Sequence, residues 1–98
     1  MEVKNNQMYV VRCAQAGVFF GQIKERNGDE VTMTNARKLW YWDGACAVEQ
    51  LAVDGTKKPG DCKFTVMVSE MVLTGVIQIL TCTDKATESL AAVEEWKR

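Results

Sequence analysis

The dipeptide Asn27-Gly28 constrains the fold of this 98-residue chain more than any other feature. Both central positions of a type I′ β-turn require positive φ, which asparagine and glycine tolerate best. The flanking runs, residues 18–25 and 30–34, are rich in strand-forming side chains, and the second run alternates polar with apolar residues. We therefore predict a β-hairpin centred on this dipeptide, with a bulge or a close backbone approach at Gly21 in its first strand.

The remaining extended segments are short. Four further runs have the composition of strands: residues 8–13, 39–42, 62–68 and 71–82. Residues 35–38 form a polar break, or a bend that leads into the second of these runs, and Gly75 interrupts the last one. Alternation in the third run predicts four side chains on a core face: Cys62, Phe64, Val66 and Val68.

Two segments have the signals of helices. We predict a short helix over residues 45–53, with Asp43 as its N-cap and Gly55 just beyond its end. Its buried side chains are predicted to be Val48, Leu51 and Ala52. A second helix, capped by Thr83, is predicted over residues 84–95. Its buried stripe is predicted to consist of Ala86, Leu90 and Val93.

This order of elements indicates the fold class. Short strands joined by tight turns, without long helices between them, argue against a parallel sheet. We predict an α+β fold that is mainly β: a small antiparallel sheet curled into a roll or partial barrel, with one short inserted helix and one C-terminal helix. Residues 1–98 fit a single domain, in which we expect residues 1–7 to be flexible.

Composition excludes most catalytic chemistry. The chain has no histidine, which removes Ser-His-Asp and Cys-His nucleophile pairs. It also has no glycine-rich phosphate-binding motif, and its four cysteines are too widely spaced for a zinc site. We therefore expect a protein that is not an enzyme and that needs no metal and no cofactor. A formal net charge of −1 also disfavours general nucleic-acid binding, which relies on phosphate neutralisation.

The cellular location follows from what precedes the first strand. The opening residues lack the basic-then-apolar layout of a signal peptide, and the apolar run over residues 71–80 is too short to span a bilayer. We expect a cytoplasmic protein that does not bind membranes. In that compartment the cysteines should be reduced, and those that are buried should act as small hydrophobic side chains.

The aromatic run at residues 39–42 is the strongest functional signal. Side chains alternate across a strand, so Leu39 and Tyr41 should lie on one face and Trp40 and Trp42 on the other. One face belongs to the core, and the other must be covered by another element, another subunit or a ligand. We take the candidate ligand-binding or interface residues to be Arg37, Lys38, Trp40, Tyr41 and Trp42.

Two interpretations of these residues remain open. Tryptophan and tyrosine in a strand most often serve the core or a subunit interface, with the basic residues on a solvated edge. Alternatively, the rings stack on a nucleobase while Arg37 grips a phosphate with two parallel hydrogen bonds. Three lysines further along would add to such a surface if their loop folds back: Lys57, Lys58 and Lys63.

Three stretches of the chain carry a family resemblance. They are ARKLWYWDGACAVEQLAVDGTKKPGDCKFTVMV, LTGVIQIL and the terminal EEWK. Together they resemble a family of small uncharacterised proteins encoded mainly by tailed phages and prophages, over about Met8 to Lys97. The resemblance implies no activity, catalytic residue or cofactor. It implies a protein made inside an infected bacterium.

There are three functional expectations, of which that context supplies the first. The first is an anti-defence homo-oligomer that sequesters a small anionic nucleotide, a second messenger of bacterial immunity, between its subunits. The second is an interaction module that uses the aromatic residues to bind a host or virion protein. The third is a small nucleic-acid-binding barrel, which the near-zero net charge disfavours.

Overall fold

The computed structural model describes residues 6–96. Within this range the elements occur in the order β1 (Tyr9–Cys13), β2 (Gly17–Asn27), β3 (Glu30–Tyr41), α1 (Val48–Asp54), a 3-10 turn (Pro59–Asp61), β4 (Lys63–Phe64), β5 (Val68–Leu73), β6 (Val76–Thr81) and α2 (Asp84–Ala92). Of the segment expected to be flexible, residues 1–5 lie outside the described range.

All six described strands join one antiparallel sheet, in which five follow the order β4-β3-β2-β1-β6. The sixth strand, β5, also pairs with β3: β4 lies against the end of β3, and β5 lies against its first half. The edge strands β5 and β6 are joined only by Thr74 and Gly75, so the sheet curls until its two edges approach each other. At this junction the Val76 amide donates to the Asp29 carbonyl. Among the described strands β5 and β6 do not pair, which leaves an open roll rather than a closed barrel. The predicted mainly-β α+β fold is confirmed.

The predicted hairpin is present, but its turn lies one residue later than expected. Asn27 pairs with Glu30, so the two turn residues are Gly28 and Asp29. Only Gly28, at φ 61°, has positive φ, which suits the first central position of a type II′ turn rather than a type I′ turn. Glycine takes this position because it adopts positive φ without a steric penalty.

Of the polar break or bend predicted at residues 35–38, the break is absent, because β3 continues through these residues with an irregularity at Asn35. Asn35 adopts φ 48° and forms a bulge opposite Gly21, where the register with β2 shifts. Asparagine tolerates this left-handed conformation better than most residues. A Cβ atom on Gly21 would lie 2.6 Å from the Ala36 Cβ, so the predicted close approach at Gly21 is confirmed, whereas the bulge lies opposite it in β3.

The predicted strand over residues 62–68 was correct only in its first half. Phe64 pairs with Leu39, and Val68 pairs with Ala36. Residues 65–67 therefore lie opposite residues 37–38 of β3, which is one residue more than regular pairing needs. The extra residue reverses the alternation of side chains after β4. Cys62 and Phe64 are therefore buried as predicted, whereas Val66 and Val68 are exposed.

The helices differ from prediction mainly in their ends. α1 begins at Val48, after the N-cap residue Ala47, which makes no side-chain cap hydrogen bond. The Asp43 carboxylate accepts from the Gly44 amide and does not cap the helix. Both predicted buried stripes and the Thr83 cap are confirmed. α2 ends at Ala92, and residues 93–96 follow it as an extended segment that pairs with β4.

The sheet is buried on both faces. The core between the sheet and the helices includes Val10, Phe20, Leu39, Leu51, Phe64 and Leu90. The second core, on the opposite face, includes Tyr9, Val11, Phe19, Ile23, Val31 and Met33. Successive residues of β1 and of the first half of β2 thus enter different cores, which explains why both stretches are largely apolar, whereas the exposed residues 24–27 of β2 are polar.

Candidate functional site

Arg37 is buried inside the fold, with 2% of its surface exposed. Its Nε donates to the Thr65 carbonyl at 3.0 Å, and its Nη2 approaches the Phe64 carbonyl at 3.5 Å. Its Nη1 donates to the carbonyls of Leu90 and Val93, at 3.3 and 2.8 Å. The guanidinium therefore satisfies carbonyls at the C-terminal end of α2, which have no acceptor role within the helix, and joins them to β4.

These contacts and this burial leave Arg37 neither on the solvated edge of the first interpretation nor available for the phosphate contact of the second. Burial lowers the pKa of the guanidinium, and the negative charge of Glu95 opposes that shift. Arginine remains protonated in proteins, so the buried charge needs the carbonyl acceptors around it. A phosphate could reach this group only by separating β4 from α2. Arg37 serves the fold, and the candidate surface has to be built from the other residues.

The alternation predicted for residues 39–42 also fails at its end. β3 stops at Tyr41, and its register with β4 shifts between Leu39 and Tyr41. Trp42 therefore turns back and packs against the same core as Leu39, while Tyr41 is 49% exposed. Lys38 is half-buried, with its Nζ 6.0 Å from the centre of the Phe19 ring.

Trp40 lies on the outside of the molecule, stacked on Trp96. The ring centroids are 4.9 Å apart and the planes are inclined by 13°. Even with this partner, 53% of the Trp40 surface is exposed. The Lys63 Nζ lies 5.5 Å from the Trp40 centroid and 5.4 Å from the Trp96 centroid, within the range of a cation–π contact. We call Trp40, Tyr41, Lys63 and Trp96 the tryptophan surface.

Sequence reasoning identified only part of this surface. It selected Trp40 and Tyr41 directly, and it gave Lys63 only a supporting role. It assigned no role to Trp96, whose one signal was a large aromatic residue in an otherwise charged stretch.

The extended segment after α2 holds Trp96 in place. The Trp96 amide donates to the Phe64 carbonyl at 2.8 Å, and Glu95 forms a parallel bridge with Phe64. The Glu95 carboxylate also accepts from the Met67 amide at 3.4 Å. A groove of about 410 Å³ lies beside this segment and is lined in part by Cys62 and Glu94. The tryptophan surface thus continues into a groove and towards the exposed side chain of Met67.

Two of the four cysteines, Cys13 and Cys82, provide no reactive centre. Cys13, Cys62 and Cys82 are buried, and Cys46 is exposed. Burial raises the pKa of Cys82 to about 12 and also raises the pKa of Cys13. Since the thiolate is the nucleophile, both groups are inert at neutral pH.

Comparison with known proteins identified a family to which the chain belongs. Within residues 6–96, neither helix is long and apolar enough to cross a membrane. No curated protein and no solved structure matches the chain. A family model described as a domain of unknown function (DUF6948) matches residues 6–90. The matched stretch contains Trp40 and Lys63 and ends before Trp96.

Proposed function

For a chain that belongs to the DUF6948 family, a domain of unknown function, we propose a non-enzymatic role: it binds another protein through the tryptophan surface. The observation that carries the proposal is Trp40, which leaves 53% of its surface in water although it is stacked on Trp96. Burying such a ring contributes strongly to association, and tryptophan, tyrosine and arginine are the residues most enriched at interaction hot spots.

The neighbourhood of Trp40 supports a protein partner over a small anion. Tyr41, next to Trp40 in the chain, and Met67, whose amide donates to Glu95, add exposed apolar area, at 49% and 42% exposure. Lys63 contributes one positive charge, but Glu94 and Glu95 place carboxylates on the adjoining groove. A mixed aromatic and charged surface of this kind is typical of protein interfaces, where an apolar centre has a polar rim.

Two features support a role without catalysis. The chain has no histidine to act as a general base near neutral pH. Of the two glutamates that line the groove, Glu95 accepts a hydrogen bond from the Met67 amide at 3.4 Å, so its carboxylate is engaged in holding the segment.

The partner follows from the resemblance to phage and prophage proteins. We propose that the chain works in the cytoplasm of an infected bacterium and that its partner is a host or virion protein. Nucleic acid is disfavoured as a partner, because a net charge of −1 supplies little attraction for phosphates.

A pull-down from lysate of phage-infected cells tests this function. The wild type should retain a partner that Trp40→Ala loses. Ile77→Ala is the matched control, since Ile77 is 59% exposed on β6, at the other edge of the sheet. Equal retention by all three proteins would place the interaction elsewhere, and loss with Ile77→Ala alone would move it to the β6 edge.

A second candidate is the sequestration of a nucleotide second messenger by a homo-oligomer. It is favoured by the combination of an open Trp40 ring, on which a base can stack, with the Lys63 ammonium, which can meet a phosphate. Calorimetry with cyclic dinucleotides and ADP-ribose-derived messengers, combined with the solution mass, tests it. Binding that Lys63→Ala weakens about tenfold would support this role. No heat with any of these nucleotides would remove it.

A further inference from the structure

The segment formed by residues 93–96 contacts the rest of the protein as a bound peptide does. It makes backbone contacts with β4, through the Trp96 amide and the parallel bridge between Glu95 and Phe64. It presents one carboxylate, on Glu95, to the Met67 amide. It then places one aromatic ring, Trp96, on the exposed Trp40. Backbone pairing and two side-chain contacts together resemble recognition by strand addition.

The edge of β4 is suited to this kind of recognition. β4 pairs with β3 on one side, so its other side offers backbone groups to an incoming strand. The segment fills that side at Phe64. The described strand has only two residues, so most of the specificity must come from the side chains that flank the pairing.

The flanking charges favour an acidic residue followed by an aromatic one. Lys63 lies beside the stacked rings and remains exposed. The Glu95 carboxylate lies close enough to Arg37 to raise the pKa of the guanidinium, while burial lowers that pKa. A carboxylate at the Glu95 position is thus attracted by a fixed buried cation and accepts one backbone hydrogen bond.

We propose that the outer edge of β4, together with Trp40, binds an extended segment of a partner protein in which a glutamate directly precedes a tryptophan, and that residues 93–96 occupy this site in the free protein. This inference rests on the proposed protein-binding function and names the chemistry of the partner.

The internal segment sets the affinity of the site. Its anchor is Val93, whose carbonyl accepts from Arg37, so Trp96 is tethered three residues from a fixed point. A short tether gives an effective concentration on the order of millimolar or above. A partner must displace the segment before it can stack on Trp40, and removal of the Trp96 ring should therefore strengthen binding from outside.

Calorimetry with a capped peptide that copies residues 91–96 tests the inference. The full-length Trp96→Ala protein should bind it about tenfold more tightly than the wild type does. The double variant Trp40→Ala/Trp96→Ala and a peptide with alanine in place of the tryptophan should both lose this gain. If Trp96→Ala does not unfold cooperatively, Trp96→Leu carries the same comparison, because it keeps an apolar side chain but not the ring stack.

Three outcomes would overturn the inference. Equal affinity of the wild type and both Trp96 variants would show that the segment does not block the site. Binding that persists in the double variant would remove Trp40 from it. Concentration-dependent dimerisation of the wild type that Trp96→Ala abolishes would identify the occupant as the segment of a second copy. If any of these occurs while the Trp40→Ala pull-down still loses its partner, the proposed function stands and only the peptide chemistry fails.

Discussion

The Arg37 guanidinium donates to the Val93 carbonyl at 2.8 Å and thereby ties the strand that carries Trp40 to the segment that carries Trp96. The same group donates to the Leu90 carbonyl, at the end of α2. One buried side chain thus fixes the geometry of the tryptophan surface without being part of it. This arrangement separates stability from binding, and the two can be tested by different substitutions.

Arg37→Ala should destabilise the protein by about 3 kcal/mol, because it leaves several buried carbonyls without donors. Arg37→Lys should lower the free energy of unfolding by less than Arg37→Ala does, because lysine keeps the positive charge. It should still be destabilising, because three donors on one atom replace the planar donor fork. Urea unfolding followed by circular dichroism measures both. The control is Arg12→Ala, which removes an exposed arginine and should change the free energy of unfolding by less than about 0.5 kcal/mol. An equally small effect of Arg37→Ala would contradict the structural role.

Gly21→Ala should destabilise the β2–β3 pairing by about 2 kcal/mol. Its Cβ would lie 2.6 Å from the Ala36 Cβ and 2.7 Å from the Ala36 Cα, so the backbone of the bulge would have to move. Gly60→Ala is the matched control, because a Cβ there meets nothing within 4 Å. Thermal unfolding should show a clear loss for the first variant and almost none for the second. Similar midpoints would mean that the close approach is absent in solution.

Thiol labelling should distinguish one cysteine from the other three. Cys46 is exposed, whereas Cys13, Cys62 and Cys82 are 4%, 9% and 5% exposed. With Ellman's reagent at neutral pH, one thiol should react quickly and the rest only after denaturant is added. Cys46→Ser should abolish the fast phase. A fast phase that survives this substitution would show that a buried cysteine is accessible.

Alkaline pH should destabilise the protein in part through Cys82. Burial raises the pKa of this thiol from 9.0 to about 12 in the folded state. Below pH 9 the thiol is protonated in both the folded and the unfolded state, so its contribution to stability is fully present. Above pH 9 the thiol ionises in the unfolded state first, so the free energy of unfolding falls as the pH rises towards 12. Comparison with Cys82→Ala, at about pH 8 and about pH 10, isolates this effect. The wild type should lose more free energy of unfolding than the variant, and equal losses would refute the assignment.

The features that the sequence predicted well depend on neighbouring residues. Thr83 accepts a hydrogen bond from the Ala86 amide, three positions away, and the buried stripe of α2 follows helical periodicity. The hairpin likewise depends on one glycine, Gly28, and its flanking strands. Local rules of this kind need no knowledge of the rest of the fold.

The features that escaped prediction depend on distant partners. The carbonyls that receive the Arg37 Nη1 lie 53 and 56 positions further along the chain, so nothing near Arg37 distinguishes it from an exposed arginine. The Trp40–Trp96 stack joins two segments that share no local pattern. The loss of alternation after Phe64 results from one additional residue opposite β3, which periodicity within a single strand cannot reveal.

The most direct test of the tryptophan surface is a two-dimensional ¹⁵N–¹H NMR titration of labelled Trp96→Ala protein with the unlabelled peptide that copies residues 91–96. The variant retains two indole N–H signals, from Trp40 and Trp42, so the control lies within the same molecule. The Trp40 signal should move or broaden as the peptide is added, because this ring is exposed, while the signal of Trp42, which packs against the core, should stay in place. An unchanged Trp40 signal at saturating peptide, or equal shifts of both signals, would contradict binding at the tryptophan surface.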